Sequence, residues 1–271
     1  MKPSKIFSLF LFVLLMACQT NPFTGKSGMA LVSNSELFPV AFQQYEEVLK
    51  ESRVIHNTEQ ARLVDEVGHK IARAAEQYLQ SIGQEGYLKD YQWEYHLIDS
   101  EQVNAWCMPG GKIAVYTGIL PITQNEAGLA AVMGHEVSHA LLNHGQQRMS
   151  QEQLTQVVGA AGSVALGDSQ YGQIFNQAYG VGTQLGVALP YSRKFENEAD
   201  DWGLNLMAIA GYDPAAAVDL WERMKENSGG KEPPQFMSTL PSNQSRINNI
   251  SRKVDDAREL GRKFGVTNFK K

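Results

Sequence analysis

The chain has 271 residues, with 24 lysines and arginines against 29 aspartates and glutamates, a formal charge of −5, and 43% hydrophobic residues. That length can bury a core as one domain and also permits two. The acidic balance, with no long basic run, argues against nucleic acid as a partner.

Lys2 and Lys5 precede an apolar run from Ile6 to Met16 that ends at Ala17-Cys18. This is the order of an export signal, and the run is too short to span a bilayer comfortably. Leu15-Met16-Ala17-Cys18 resembles a bacterial lipobox. The resemblance implies a signal peptide over residues 1–17, lipidation of Cys18 and membrane attachment through that lipid. Gln19 stands where an aspartate would favour the inner membrane, which implies an outer-membrane lipoprotein facing the periplasm. Cys107 is then the only other cysteine, and no intrachain disulfide framework is possible. Residues 18–33, rich in turn formers, read as a lipidated tether docking near Met29 to Val32, and residues 34–271 as a single domain.

From Thr58 to about Ser81, Leu63, Val67, Ile71, Ala74 and Tyr78 recur at helical spacing. The stretch YQWEYHLID alternates Trp93, Tyr95 and Leu97 with polar residues, the period of a half-buried strand. NAWCMPGGKIAVYTGIL reads as an extended piece, a turn at Pro109-Gly110-Gly111 and a second strand from Ile113 to Thr117. Thr123 and Glu126 have the spacing of a capping box ahead of the next helix. Residues 154–189 are apolar and glycine-rich, but polar residues interrupt them. They read as packed helices or a cover over a cleft rather than membrane spans. A helix is expected from Lys194 to Ala210, and Asp213-Pro214 opens another. Gly229-Gly230 and Pro233-Pro234 mark a loop. A last amphipathic helix carries Ile247, Ile250, Val254 and Leu260.

The chemistry lies in AVMGHEVSHALLNH, residues 131–144. Side chains four apart share a helix face, so His135 and His139 can offer imidazole nitrogens to one ion. Glu136 falls beside them, within reach of a water at that ion. YSRKFENEADDWG supplies a third ligand. Acids in an otherwise apolar helix are costly unless paired or bound to metal. Glu196 and Asp200 share a face by their spacing, while Glu198 is turned by about 200° from Glu196. Glu196 is therefore the candidate ligand. Asp200 is its companion, accepting an imidazole N–H from a liganding histidine. A solvated acidic face at a helix start is the alternative.

HEVSH followed by FENEAD, with NAWCMPGGKIAVYTGIL ahead of both, resembles the zinc metallopeptidase family of HtpX and the CAAX prenyl proteases. The likeness is strongest to that family's soluble and lipoprotein branch, which includes periplasmic peptidases and is related to a mitochondrial quality-control protease. It implies an α+β, mostly helical, zincin-like domain with an active-site helix, a small sheet with an exposed edge strand, and C-terminal helices. It implies one Zn2+ per chain on His135, His139 and Glu196, Glu136 as the catalytic base, and Asp200 in support of a histidine. Asn104, Ala105, Trp106, Cys107, Met108, Pro109 and Gly110 would line the cleft edge where a polypeptide substrate adds as a strand. Cys107 is read as a packing or cleft residue.

One departure stands out. The family commonly carries a His-Pro pair followed by an arginine, thought to stabilise the oxyanion, and this chain reads Leu240-Pro241 with Arg246 retained. Leucine donates no hydrogen bond, so half of that assistance is missing or comes from elsewhere, such as His144 or a tyrosine. The expected activity is that of a membrane-anchored periplasmic zinc endopeptidase acting on unfolded or misfolded envelope proteins. A catalytically weak, zinc-stabilised protein that binds such chains without cutting them is the alternative. A cell-wall carboxypeptidase or amidase is a third reading, which the strand-forming segment argues against.

Overall fold

The computed structural model describes residues 18–159, 193–227 and 243–271. The expected signal peptide, residues 160–189 of the expected glycine-rich cover, the loop expected at Gly229-Gly230 and Pro233-Pro234, and Leu240 lie outside the described residues.

Cys18–Thr20 (β1) and Ser27–Met29 (β2) pair antiparallel around a turn. The expected docking near Met29 to Val32 begins earlier, because Asn21 and Phe23 are already buried. Phe23 stacks on Tyr78 and meets Trp202 edge-on. Helix α1 (Asn34–Glu51) adds to the sequence-based elements. A capping box between Ser33 and Glu36 starts it, and Leu37, Phe38, Ala41, Tyr45 and Val48 form its buried stripe.

A short strand β3 (Val54–Ile55) leads into α2 (Glu59–Ser81). Thr58 caps α2 by accepting from the Ala61 amide at 3.1 Å. Its fully buried stripe runs through Val64, Val67, Ile71, Ala75 and Leu79, with the expected Leu63 and Tyr78 on its half-buried flanks. Strands β4 (Glu94–Ile98), β5 (Ala105–Met108) and β6 (Lys112–Tyr116) complete a four-stranded sheet in the order β3-β4-β6-β5. β4 and β6 are parallel, and β5 returns antiparallel on the outside of β6.

All five residues of β6 are buried, as a strand covered on both faces requires. Leu97, Ile113, Val115, Ala105 and Cys107 belong to the main core with α2 and the helices that follow. Ile98, Ala114, Tyr116 and Met108 belong to a second cluster with α1. Gly110 and Gly111 turn the chain between β5 and β6 at φ of 83° and 92°. A β-carbon on Gly111 would come within 2.6 Å of the Trp93 ring, so both dihedral and space demand glycine.

After a short helix α3 (Leu120–Thr123), helix α4 (Glu126–Leu141) runs through the centre of the molecule. Every residue of α4 from Ala127 to Leu141 is buried, as expected of a helix whose surroundings are protein on all sides. The expected capping box at Thr123 is corrected here. Asn125 caps α4 by accepting from the Gly128 amide at 2.8 Å, while the Thr123 hydroxyl donates back to the Leu120 carbonyl. Gln124, at φ 63°, breaks the register between them.

Helices α5 (His144–Gly159), α6 (Arg193–Ile209), α7 (Ala215–Asn227) and α8 (Asn243–Lys263) follow. Asp213 accepts from the Ala215 amide at 3.1 Å and starts α7 as its sequence suggests. Ile247, Ile250 and Val254 give α8 its buried face. The architecture is α+β and mostly helical. No helix among the described residues is long and apolar enough to cross a membrane.

Candidate active site

Helices α4 and α6 cross at Gly134 and Gly203. A β-carbon on Gly203 would lie 3.1 Å from the His135 backbone nitrogen. This close approach sets the face of α4 that carries His135 and His139 against the face of α6 that carries Glu196 and Asp200. The Nε2 atoms of the two histidines are 3.1 Å apart. The Glu196 carboxylate lies 3.5 Å from His135 Nε2 and 3.6 Å from His139 Nε2.

These three residues are positioned to hold a metal ion. Two nitrogens at zinc-bond distance in a tetrahedral site stand about 3.3 Å apart, close to the observed spacing. Glu196 is 1% exposed, and its Oε2 has no hydrogen-bond partner among the described residues. The nearest nitrogens to that oxygen, His135 Nε2 at 3.5 Å and Arg246 Nη1 at 3.6 Å, stand beyond hydrogen-bonding contact, so the buried carboxylate has room for a closer cation and the donor set fits one.

The other nitrogen of each histidine is occupied. His135 Nδ1 lies 2.9 Å from Asp200 Oδ1, the companion role expected of that aspartate. His139 Nδ1 lies 2.9 Å from Nδ1 of His144, which is itself fully buried. His144 therefore sits behind a candidate ligand, not in the cleft, and is no substitute for an oxyanion donor. Sequence reasoning missed this placement. The only signal for it was Asn143, whose φ of 56° makes the turn between α4 and α5.

Arg246, on α8, is 2% exposed and stacks on Trp221 with the guanidinium carbon 3.6 Å from the ring centre. Its Nε donates to Asp200 Oδ2 at 2.7 Å and its Nη2 to Oδ1 at 2.5 Å. Nη1 lies 3.6 Å from Glu196 Oε2 and makes no hydrogen bond among the described residues. This side chain thus braces Asp200 and also faces the ligand set, with Nη2 3.1 Å from His135 Nδ1 and Nη1 towards Glu196.

Glu136 is buried beside these groups. Burial pushes its carboxyl up to about 7, Glu196 adds to the rise, and His135 and Arg246 oppose it. Burial also works against a charged His135, but the carboxylates of Asp200 and Glu196 overcome it and raise the imidazole to about 9. Burial holds His139 well below its ordinary value, and the neighbouring His135 and His144 lower it further.

The edge strand passes close to the same helix. The Asn104 carbonyl accepts from the Tyr116 amide at 3.0 Å, and Ala105 faces Val115. In an antiparallel ladder the hydrogen-bonded pairs then fall on Asn104, Trp106 and Met108, so the backbone groups of Ala105 and Cys107 point away from β6. No described strand pairs with that side. Asn104 Oδ1 is buried without a hydrogen-bond partner among the described residues. Cys107 and Pro109 border a small recess that also touches His139 and Leu37. Burial raises the Cys107 thiol well above its ordinary value, which suits a packing residue.

Residues 62–254 match the model of the peptidase family M48. The chain belongs to peptidase family M48.

Among relatives of this M48 chain is the mitochondrial metalloendopeptidase OMA1 of Schizosaccharomyces pombe. The two are 38% identical over 63% of the chain and 49% of the relative. The zebrafish (Danio rerio) metalloendopeptidase OMA1, mitochondrial, is 30% identical over 94% of the chain and 53% of its own length. The β-barrel assembly-enhancing protease of Escherichia coli is 27% identical over 68% of the chain and 40% of its own length. The chain thus spans about half the length of the relatives it matches. These names point to the OMA1 and β-barrel assembly-enhancing proteases, not specifically to HtpX or the CAAX prenyl proteases. They also overturn the expected outer-membrane, periplasm-facing location, because the more similar of these relatives are mitochondrial proteins.

Proposed function

We propose that this M48 chain is a zinc metalloendopeptidase that cuts polypeptides bound in extended form. The observation that carries the reading is the convergence of His135, His139 and the buried Glu196 carboxylate, whose Oε2 has no hydrogen-bond partner among the described residues, beside Glu136. One Zn2+ per chain held by these three ligands would polarise a scissile carbonyl and acidify a water. Glu136 takes the proton from the attacking water and passes it to the leaving amine. Its carboxyl, raised to about 7, suits a group that must accept and release a proton near neutral pH. Asp200 holds the tautomer of His135, and Arg246 offers its remaining Nη1 to the developing oxyanion.

Substrate is recognised through backbone. The edge of β5 that carries the outward backbone groups of Ala105 and Cys107 is where a segment would add as a strand, with Asn104 Oδ1 as one more acceptor; these residues are 1%, 7% and 8% exposed, so the edge has to be uncovered for a substrate to reach it. Backbone pairing of this kind demands an extended, accessible chain, so unfolded or misfolded proteins are the substrate class. The named activities of the OMA1 and β-barrel assembly-enhancing relatives support a protease, while zinc as the metal and misfolded chains as the substrate rest on the residues of this chain.

The test is digestion of casein by the zinc-loaded chain beside its Glu136→Gln variant. Internal fragments from the first and none from the second, with equal zinc content, are the expected result. Equal cleavage by both would remove Glu136 from its role. Zinc uptake without cleavage by either would favour a protein that binds unfolded chains and does not cut them.

A further inference from the structure

The two candidate histidine ligands are supported unequally. His135 leans on a carboxylate, Asp200. His139 leans on another imidazole. Behind that imidazole the contacts continue outward, with His144 Nε2 lying 3.3 Å from Glu198 Oε2 and Glu198 Oε1 accepting from Lys26 Nζ at 2.7 Å. The His144 ring is 0% exposed and stacked on Phe195, with ring centres 4.3 Å apart and planes 14° from parallel. Four side chains from α4, α5, α6 and the β1–β2 hairpin thus form one line from the centre of the molecule to its surface.

With Glu198 ionised and His144 neutral, the donors and acceptors of that line fit together in one arrangement. Glu198 as a carboxylate only accepts, so the proton between it and His144 sits on His144 Nε2. A neutral His144 then presents a lone pair at Nδ1, and His139 must donate to it from its own Nδ1. His139 Nε2, the atom facing Glu196 and His135, is left as a lone pair. We propose that His144, held by Glu198, is a positioning residue that fixes His139 in the tautomer able to bind metal through Nε2. The role rests on the metallopeptidase reading above and deepens it. Lys26 contributes little energy, because it is 61% exposed and its ion pair is screened. The line depends on His144 and Glu198.

Zn2+ affinity, measured on the full chain by competition with a chromophoric chelator, tests the role without reference to cleavage. His144→Phe keeps a flat ring against Phe195 and removes the acceptor. His144→Gln keeps an acceptor and a donor. The expected result is an affinity about 10–100-fold weaker for His144→Phe, the usual effect of losing such a partner, with His144→Gln close to the unsubstituted chain. Glu198→Ala, altered at the outer end of the line where folding is least at risk, is expected to weaken binding in the same direction. Ring-nitrogen NMR of the unsubstituted chain should show His139 protonated at Nδ1. Equal affinities in the unsubstituted, His144→Phe and Glu198→Ala chains would overturn the inference. Equal losses in His144→Phe and His144→Gln would also overturn it by assigning His144 to packing alone. An unsubstituted chain that takes up no Zn2+ would instead overturn the metal-site reading, and this inference with it.

Discussion

Arg246 shows how much one side chain carries at this site. Its guanidinium is stacked on Trp221 and held bidentate to Asp200, and both charges are buried. Removing one partner of such a pair leaves the other charge uncompensated, at a cost of about 3–5 kcal/mol. Arg246→Ala is therefore expected to lower the unfolding free energy by about that amount in urea denaturation. Arg246→Lys keeps the charge but lacks the planar fork and the ring stacking, so most of the loss should remain. A lysine variant as stable as the parent would show that charge alone matters here. The sequence pointed to Arg246 only through its family pattern, because Trp221 and Asp200 meet it from other helices. His135, Glu136, His139 and Glu196 were legible for the opposite reason: their chemistry is written in spacings within single helices.

At the scale of elements, the crossing of α4 and α6 decides whether those spacings become a site. The contact is backbone against backbone, with a β-carbon on Gly203 meeting His135 N at 3.1 Å and the Gly134 carbonyl carbon at 3.3 Å. Neither helix can yield by turning a side chain. Alanine would gain about 1 kcal/mol in helix propensity, while overpacking of this kind costs about 1–3 kcal/mol. Gly203→Ala should be net destabilising, and by moving α6 outward it should weaken metal uptake as well. Chelator competition on the folded variant checks the second effect, and unchanged affinity would mean that the helices have slack. The helices themselves were readable from periodicity over 59–81, 193–209 and 243–263. The start of α4 was not, because Thr123 offered a plausible cap and only the left-handed Gln124 moves the cap to Asn125.

Across the whole molecule, both ends of the described chain close on the same central helix. Near its C-terminal end the Asn21 amide and the Tyr87 hydroxyl both donate to the Leu141 carbonyl, at 2.8 Å each, satisfying an acceptor the helix cannot. At its N-terminal end Glu126 accepts from Lys70 at 2.9 Å, from Tyr212 at 2.6 Å, and from Lys270. Lys270 is brought there by its backbone, which bonds with Gly211 and Asp213. No local pattern announces such partners, since they lie 120 and 144 residues away in sequence. The N-terminal clasp has a pH signature. Burial would raise the Glu126 carboxyl, but the hydrogen bonds from Lys270, Tyr212 and Lys70 prevail and hold it at about 2, against an ordinary 4.5. A folded-state value below the unfolded one means that, as acid is added, the unfolded chain takes up its proton first. The clasp therefore contributes its full stability above about pH 4.5 and loses it as the pH falls towards 2. Glu126→Gln should be less stable than the parent at neutral pH, and the gap should narrow steadily over that acid range. Urea denaturation of both chains at a series of pH values measures it. A gap that stays constant down to about pH 2 would show that Glu126 acts through packing, with its charge contributing nothing.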